Sequence, residues 1–183
     1  VEQPRLLLTQ EELNSPVVTG GDHLKDKNRM FYGDKAVAEV ERRLGEELPE
    51  HYKRIVREEG FFSGRYLDDA EVPVVTAGVG QTGPYINAPL SNVFESKAKQ
   101  VRSAIPHYDK LPDDVKGAVL SAQYRGDLLP EHNWVKQFNK GNYGVAADSF
   151  LNHKEYKSRK AKDPNDGVVK RMDDIAHILR SYE

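Results

Sequence analysis

The sequence predicts an α+β protein, mainly helical, with one small antiparallel sheet inserted near its first third. Three observations predict it. Apolar residues recur at three- and four-residue spacing between Asp34 and Glu59, the period of an amphipathic helix. A β-branched, glycine-punctuated stretch then runs over residues 61–82. From residue 91 onward helical patterns dominate, separated by short polar breaks.

Residues 1–33 read as loosely organised. Thr9-x-x-Glu12 has the form of a capping box and opens a short helix, which Pro16 and Gly20-Gly21 break off. Asp34 is placed to cap a helix whose apolar stripe is Val37, Val40 and Leu44, with Gly45 weakening it from inside. Pro49 starts a second helix ending at about Glu59, with Tyr52, Ile55 and Val56 buried, and Gly60 fits its C-terminal stop. Tyr66 beside Asp68-Asp69 marks a turn, and Val72 to Thr76 reads as a strand with Pro73 at its edge or start. Gly78, Gly80 and Gly83 mark a tight exit. Helices are expected over 91–104, 112–125, 131–139, 142–152 and 166–181, with Pro112-Asp113-Asp114 opening the second and Gly126 ending it.

The 183 residues can bury a core without staples, and 31% charged with 9% aromatic residues is a globular composition. There are no cysteines, which excludes disulfides and thiolate chemistry and removes the commonest structural zinc sites. No run of about 18 apolar residues exists, so no membrane span is expected, and Leu6-Leu7-Leu8 is too short for a signal-peptide core. The net charge of -2 is uneven. Residues 1–96 carry 11 Lys/Arg against 17 Asp/Glu, whereas residues 97–183 carry 16 against 12. The basic C-terminal half suits a polyanion such as nucleic acid or an anionic wall polymer, or else Lys154 to Lys162 is a solvated helix face. His23, His51, His107, His132, His153 and His177 are scattered with no pair at ligand spacing, so no metal or cofactor is expected. No dinucleotide fingerprint, phosphate loop or nucleophile elbow occurs, and Trp134 with Phe138 reads as core.

The chemistry-bearing stretch runs from Glu59 to Gly83. It sets one carboxylate at a helix end and a second in the next hairpin, followed by a strand hydroxyl, Thr76, before Gly78-x-Gly80. Two carboxylates on rigid elements with a hydroxyl to hold a water are the parts needed to hydrolyse a glycosidic bond. Glu59 sits at the negative end of a helix dipole beside Phe61 and Phe62, which would raise its pKa and keep a proton available. Asp68 would serve as the ionised base, with Asp69 as its rival across one turn. Taken singly, each has a plain structural reading: a solvated helix end, turn chemistry, and a β-branched strand residue.

The order Glu-Gly, Tyr-x-Asp and Thr-x-Gly-x-Gly resembles the phage-type (T-even) lysozymes, glycoside hydrolase family 24. The matched residues are Glu59, Asp68 and Thr76, with Tyr66, Gly78 and Gly80 as framework positions. The step from Asp68 to Thr76 is about two residues longer than in that family, so the turn around Glu71-Val72 must be enlarged. Gln81 stands where the family commonly has His. Downstream, Ala118 to Gly126 resembles the family's long central helix, and Gly167 to Met172 its Gly-Leu-x-x-Arg-Arg element. Arg171 there matches the guanidinium that pairs with the acidic Glu, and its expected benefit is to fix the orientation of that carboxyl.

The resemblance implies a lysozyme-like fold with a small sheet lobe and a larger helical lobe. It would occupy residues 49–183 as a catalytic domain, after an N-terminal extension over 1–48 with a helix from about residue 34. It implies a peptidoglycan hydrolase, an inverting muramidase cutting the β-1,4 bond between N-acetylmuramic acid and N-acetylglucosamine. Glu59 would be the acid, Asp68 the base and Thr76 the water-positioning group. Arg171, Tyr66, Gly78, Gly80 and Gln81 would orient them or line the cleft. Peptidoglycan is the expected partner, with no specific nucleic acid. The expected location is the host cytoplasm before release to the wall, or a virion. Residues 1–33 are candidates for a tether to a larger virion protein, a linker or a cleft-facing arm. The rivals are a lytic transglycosylase and a non-catalytic virion structural or wall-binding module.

Overall fold

A computed structural model of the protein describes residues 6–182. Residues 1–5 of the N-terminal extension, and Glu183, lie outside the described residues. The fold is α+β and mainly helical, with a small four-stranded antiparallel sheet among the described residues. The chain forms two compact units, one up to Ser96 and one from Lys97. Residues 6–48 therefore share a unit with residues 49–96.

In the first unit, helix α1 (Gln10–Asn14) opens on the capping box: Glu12 N donates to the Thr9 hydroxyl (3.1 Å) and Thr9 N to the Glu12 carboxylate (2.9 Å). A 3-10 turn (Asp22–Lys25) leads to strand β1 (Met30–Phe31) and helix α2 (Gly33–Leu44). Tyr32 holds the N-cap position of α2, and Asp34 lies in its first turn, where its charge still favours the helix dipole. Gly45 ends this helix instead of lying inside it. Helix α3 (Glu50–Glu59) follows Pro49, buries Ile55 and Val56, and stacks Tyr52 on Phe94 at 4.3 Å.

Gly60 stops α3, and strands β2 (Phe61–Leu67), β3 (Val75–Gly78) and β4 (Gln81–Thr82) follow. The sheet order is β1-β2-β3-β4, with Phe31 opposite Phe61, Tyr66 opposite Thr76, and Thr76 opposite Thr82. The register of β2 against β3 shifts between Phe62 and Arg65, and the pairing then resumes from Arg65 to Leu67. Strand β3 begins only at Val75, so Val72 and Pro73 belong to the loop. The N-terminal residues pair with both ends of β2. Its start takes β1, while Val18 N donates to Arg65 O and Leu67 N donates to Val18 O, both at 2.9 Å.

The second unit begins within helix α4 (Leu90–Ala104), at Lys97. It contains α5 (Asp113–Tyr124), α6 (Asn133–Asn139), α7 (Tyr143–Leu151), α8 (Lys154–Lys162) and α9 (Gly167–Ser181). Helix α9 packs on α5, α7 and α8 and opens on Asp166, whose carboxylate accepts from Val168 N at 2.8 Å. Trp134 and Phe138 are buried in this unit's core. Helix α8 buries Tyr156 and exposes its lysines to solvent. Among the described residues, no helix is long and apolar enough to cross a membrane.

Candidate active site

The end of α3, the second half of β2 and the β3–β4 turn surround a cleft of about 850 Å3 in the first unit. Glu59, Tyr66, Asp68, Asp69, Thr76 and Gly80 all line it. Glu59 is the last residue of α3 and is half-buried. Its neighbour Glu58 is taken by Arg54, whose Nε donates to it at 2.6 Å.

The chain turns out of α3 through Gly60, at φ 74° and ψ 177°. Only glycine adopts that conformation readily. A Cβ there would also stand 3.0 Å from Phe31 O and 2.8 Å from Met30 Cε. Gly60→Ala is therefore expected to destabilise the protein by about 1–3 kcal/mol from backbone strain alone. Urea unfolding checks this, and a wild-type midpoint would contradict it. Across the cleft, a Cβ on Gly80 would lie 3.6 Å from Glu59 Oε2, so the β3–β4 turn runs close against the carboxylate.

Asp68 directly follows β2. Its Oδ1 accepts from Val74 N at 2.9 Å and Ala70 N at 3.3 Å, while its own N donates to Val74 O at 3.1 Å. The long loop between β2 and β3 is thus closed by the Asp68 side chain itself. Oδ2 has no hydrogen-bond partner among the described residues and remains available. Asp69 is exposed and has no such ties. Of the two, Asp68 has the fixed orientation. Being two residues beyond Tyr66, it shares the face of the sheet that carries Tyr66 and Thr76.

Thr76 is 4% exposed, and its hydroxyl donates to Val74 O at 3.1 Å. The proton is committed, so the oxygen offers only lone pairs to anything else in the cleft. Tyr66 stands directly across from it. Burial, helped by the negative charges of Glu59, Asp68 and Asp69, pushes the Tyr66 hydroxyl up to about 12. It is a neutral hydrogen-bond donor throughout the physiological range.

Gly78 and Gln81 stand behind the cleft instead of lining it. Gln81 is 3% exposed, donates from Nε2 to Tyr85 O at 3.1 Å, and accepts from Val79 N at 3.4 Å, tying down the β3–β4 turn. Arg171 lies half-buried on α9, in the unit from Lys97.

The opposite wall comes from residues whose role sequence reasoning missed: Gly20, Gly21, His23, Leu24, Met30 and Tyr32. Their signal is long-range pairing with β2, which a local pattern does not carry. Among the described residues, no group of three His, Asp or Glu is placed to hold a metal ion. The fold and site together define a mainly helical α+β protein with an acidic cleft beside a small sheet. No family model, curated protein or solved structure matches this chain.

Proposed function

We propose that this protein hydrolyses the β-1,4 bond between N-acetylmuramic acid and N-acetylglucosamine in bacterial peptidoglycan. The observation that supports this is the convergence of Glu59, Asp68 and Thr76, from three different elements, on one cleft. Their chain order is the one that resembles the phage-type lysozymes. Glu59 protonates the leaving glycosidic oxygen. Asp68 Oδ2 accepts a proton from the attacking water. Thr76 accepts the second hydrogen bond of that water, because its own proton is held by Val74 O. A water donating both its protons in this way turns a lone pair outward, towards the anomeric carbon.

Attack from the face opposite the acid inverts the anomeric centre, a mechanism that uses carboxyl groups about 6.5–9.5 Å apart. A lytic transglycosylase needs an acidic Glu but no base. The anchored Asp68 and the acceptor oxygen of Thr76 favour hydrolysis over that reaction. The wall polymer is the partner in this reading, reached on release from the host cytoplasm or carried to the wall on a virion.

Glu59→Gln keeps the side chain's shape but removes the transferable proton. It is expected to lower lysis of permeabilised cells by at least about 100-fold, the scale of general acid catalysis, with an unchanged melting profile. Near-normal clearing by this variant would overturn the assignment.

A further inference from the structure

His23 is 8% exposed on the 3-10 turn Asp22–Lys25, and it lines the same cleft as the carboxylates. Its ring stacks on Tyr66, with centroids 3.8 Å apart and planes 11° from parallel, and meets the edge of Phe62 at 5.6 Å. Packing on two aromatic rings fixes the imidazole in one orientation. Nδ1 is buried and has no hydrogen-bond partner. Nε2 also has no partner among the described residues, but it is not closed off, so it opens on the cleft.

Burial lowers the pKa of His23, with the Asp69 carboxylate opposing that shift. The neutral ring carries one N–H. We assign it to Nε2, because an N–H at Nδ1 would be a buried donor with nothing to accept it. A rigid, neutral donor therefore faces the cleft from the N-terminal segment. The other groups around it are mostly acceptors: Glu59, Asp68, Asp69 and the Thr76 oxygen. A cleft so rich in acceptors needs neutral donors to hold the carbonyl oxygens of acetamido sugars. Tyr66 provides one such donor, but its ring face is already covered by His23.

We propose that His23 is a substrate-binding residue, donating from Nε2 to an acetamido oxygen of the saccharide and making residues 18–32 part of the binding site. This rests on the reading of the cleft as a peptidoglycan site. The loss of one neutral hydrogen bond corresponds to about three- to tenfold in affinity.

The test uses the Glu59→Gln protein, which holds its ligand uncut, and a soluble tetrasaccharide of alternating N-acetylglucosamine and N-acetylmuramic acid. Adding His23→Phe, which keeps the stack but removes the N–H, is expected to weaken calorimetric binding about three- to tenfold. Equal affinity overturns the proposal, and so does a Glu59→Gln protein that takes no tetrasaccharide. With His23 left in place, its ring-nitrogen NMR signals are expected to shift on adding the tetrasaccharide. Unshifted signals overturn the proposal even if the Phe variant fails to fold. Wild-type protein that binds through His23 yet cuts no wall would sink the hydrolase reading alone. Normal cutting with His23-independent binding would sink this inference alone.

Discussion

Deleting the chain through Tyr32 is expected to unfold the sheet-bearing unit. Leu7, Leu8 and Leu13 are each at least nine-tenths buried. Burying a leucine side chain contributes about 1.5–3 kcal/mol, so the three account for about 5–9 kcal/mol against a typical whole-domain stability of about 5–15 kcal/mol. The deletion also removes Glu12, which accepts two hydrogen bonds from Arg43 at 2.6 and 2.9 Å. It takes away Ser15 O, the acceptor for Arg65 at 2.8 Å, and both backbone pairings along β2. Arg43 and Arg65 would be left half-buried without these partners, which adds a further cost. A detachable tether would leave the remainder folded. Circular dichroism and urea unfolding of the truncated chain check this, and wild-type values would show that residues 6–32 are dispensable to the fold.

The second large effect separates two roles of Asp68. Asp68→Asn keeps an oxygen for Val74 N and Ala70 N but loses the anionic Oδ2. It is expected to lower wall hydrolysis by about 10²–10⁴-fold, the range for a general base, at near wild-type stability. Asp68→Ala also releases the loop over 68–74, so it should match that activity loss and add about 1–3 kcal/mol of destabilisation. Asp69→Asn, at an exposed position without loop contacts, is expected to keep activity. Rates on purified peptidoglycan together with urea midpoints check all three. An inactive Asp69→Asn beside an active Asp68→Asn would reverse the assignment of the base.

Local chemistry made much of the fold legible in the sequence. The capping box at Thr9 and the stop at Gly60 each act within a few residues and appear where those signals stand, whereas only the end of the β-branched run, from Val75, enters strand β3. The role of Gly45 is not legible in the sequence, which carries no φ value, and its left-handed conformation is what ends α2. Strand β1 was not legible. Two residues show no alternation, and their partners in β2 lie some thirty positions away.

At the candidate site, Glu59, Asp68 and Thr76 could be picked out from chain order, and the cleft gathers them. The turn at Asp68-Asp69 was legible in the sequence, whereas the device that closes the loop, the Asp68 side chain, depends on folded geometry. His23 was one of several scattered histidines in the sequence. Only the pairing of residues 18–31 with β2 brings it onto Tyr66.

The central claim is that Glu59 and Asp68 drive hydrolysis of the wall polymer. The most direct measurement is mass spectrometry of purified peptidoglycan digested by wild type and by Glu59→Gln. The account predicts muropeptides ending in reducing N-acetylmuramic acid from wild type and no new ends from Glu59→Gln. Anhydromuramic ends, or undigested wall with the wild-type protein, would contradict it.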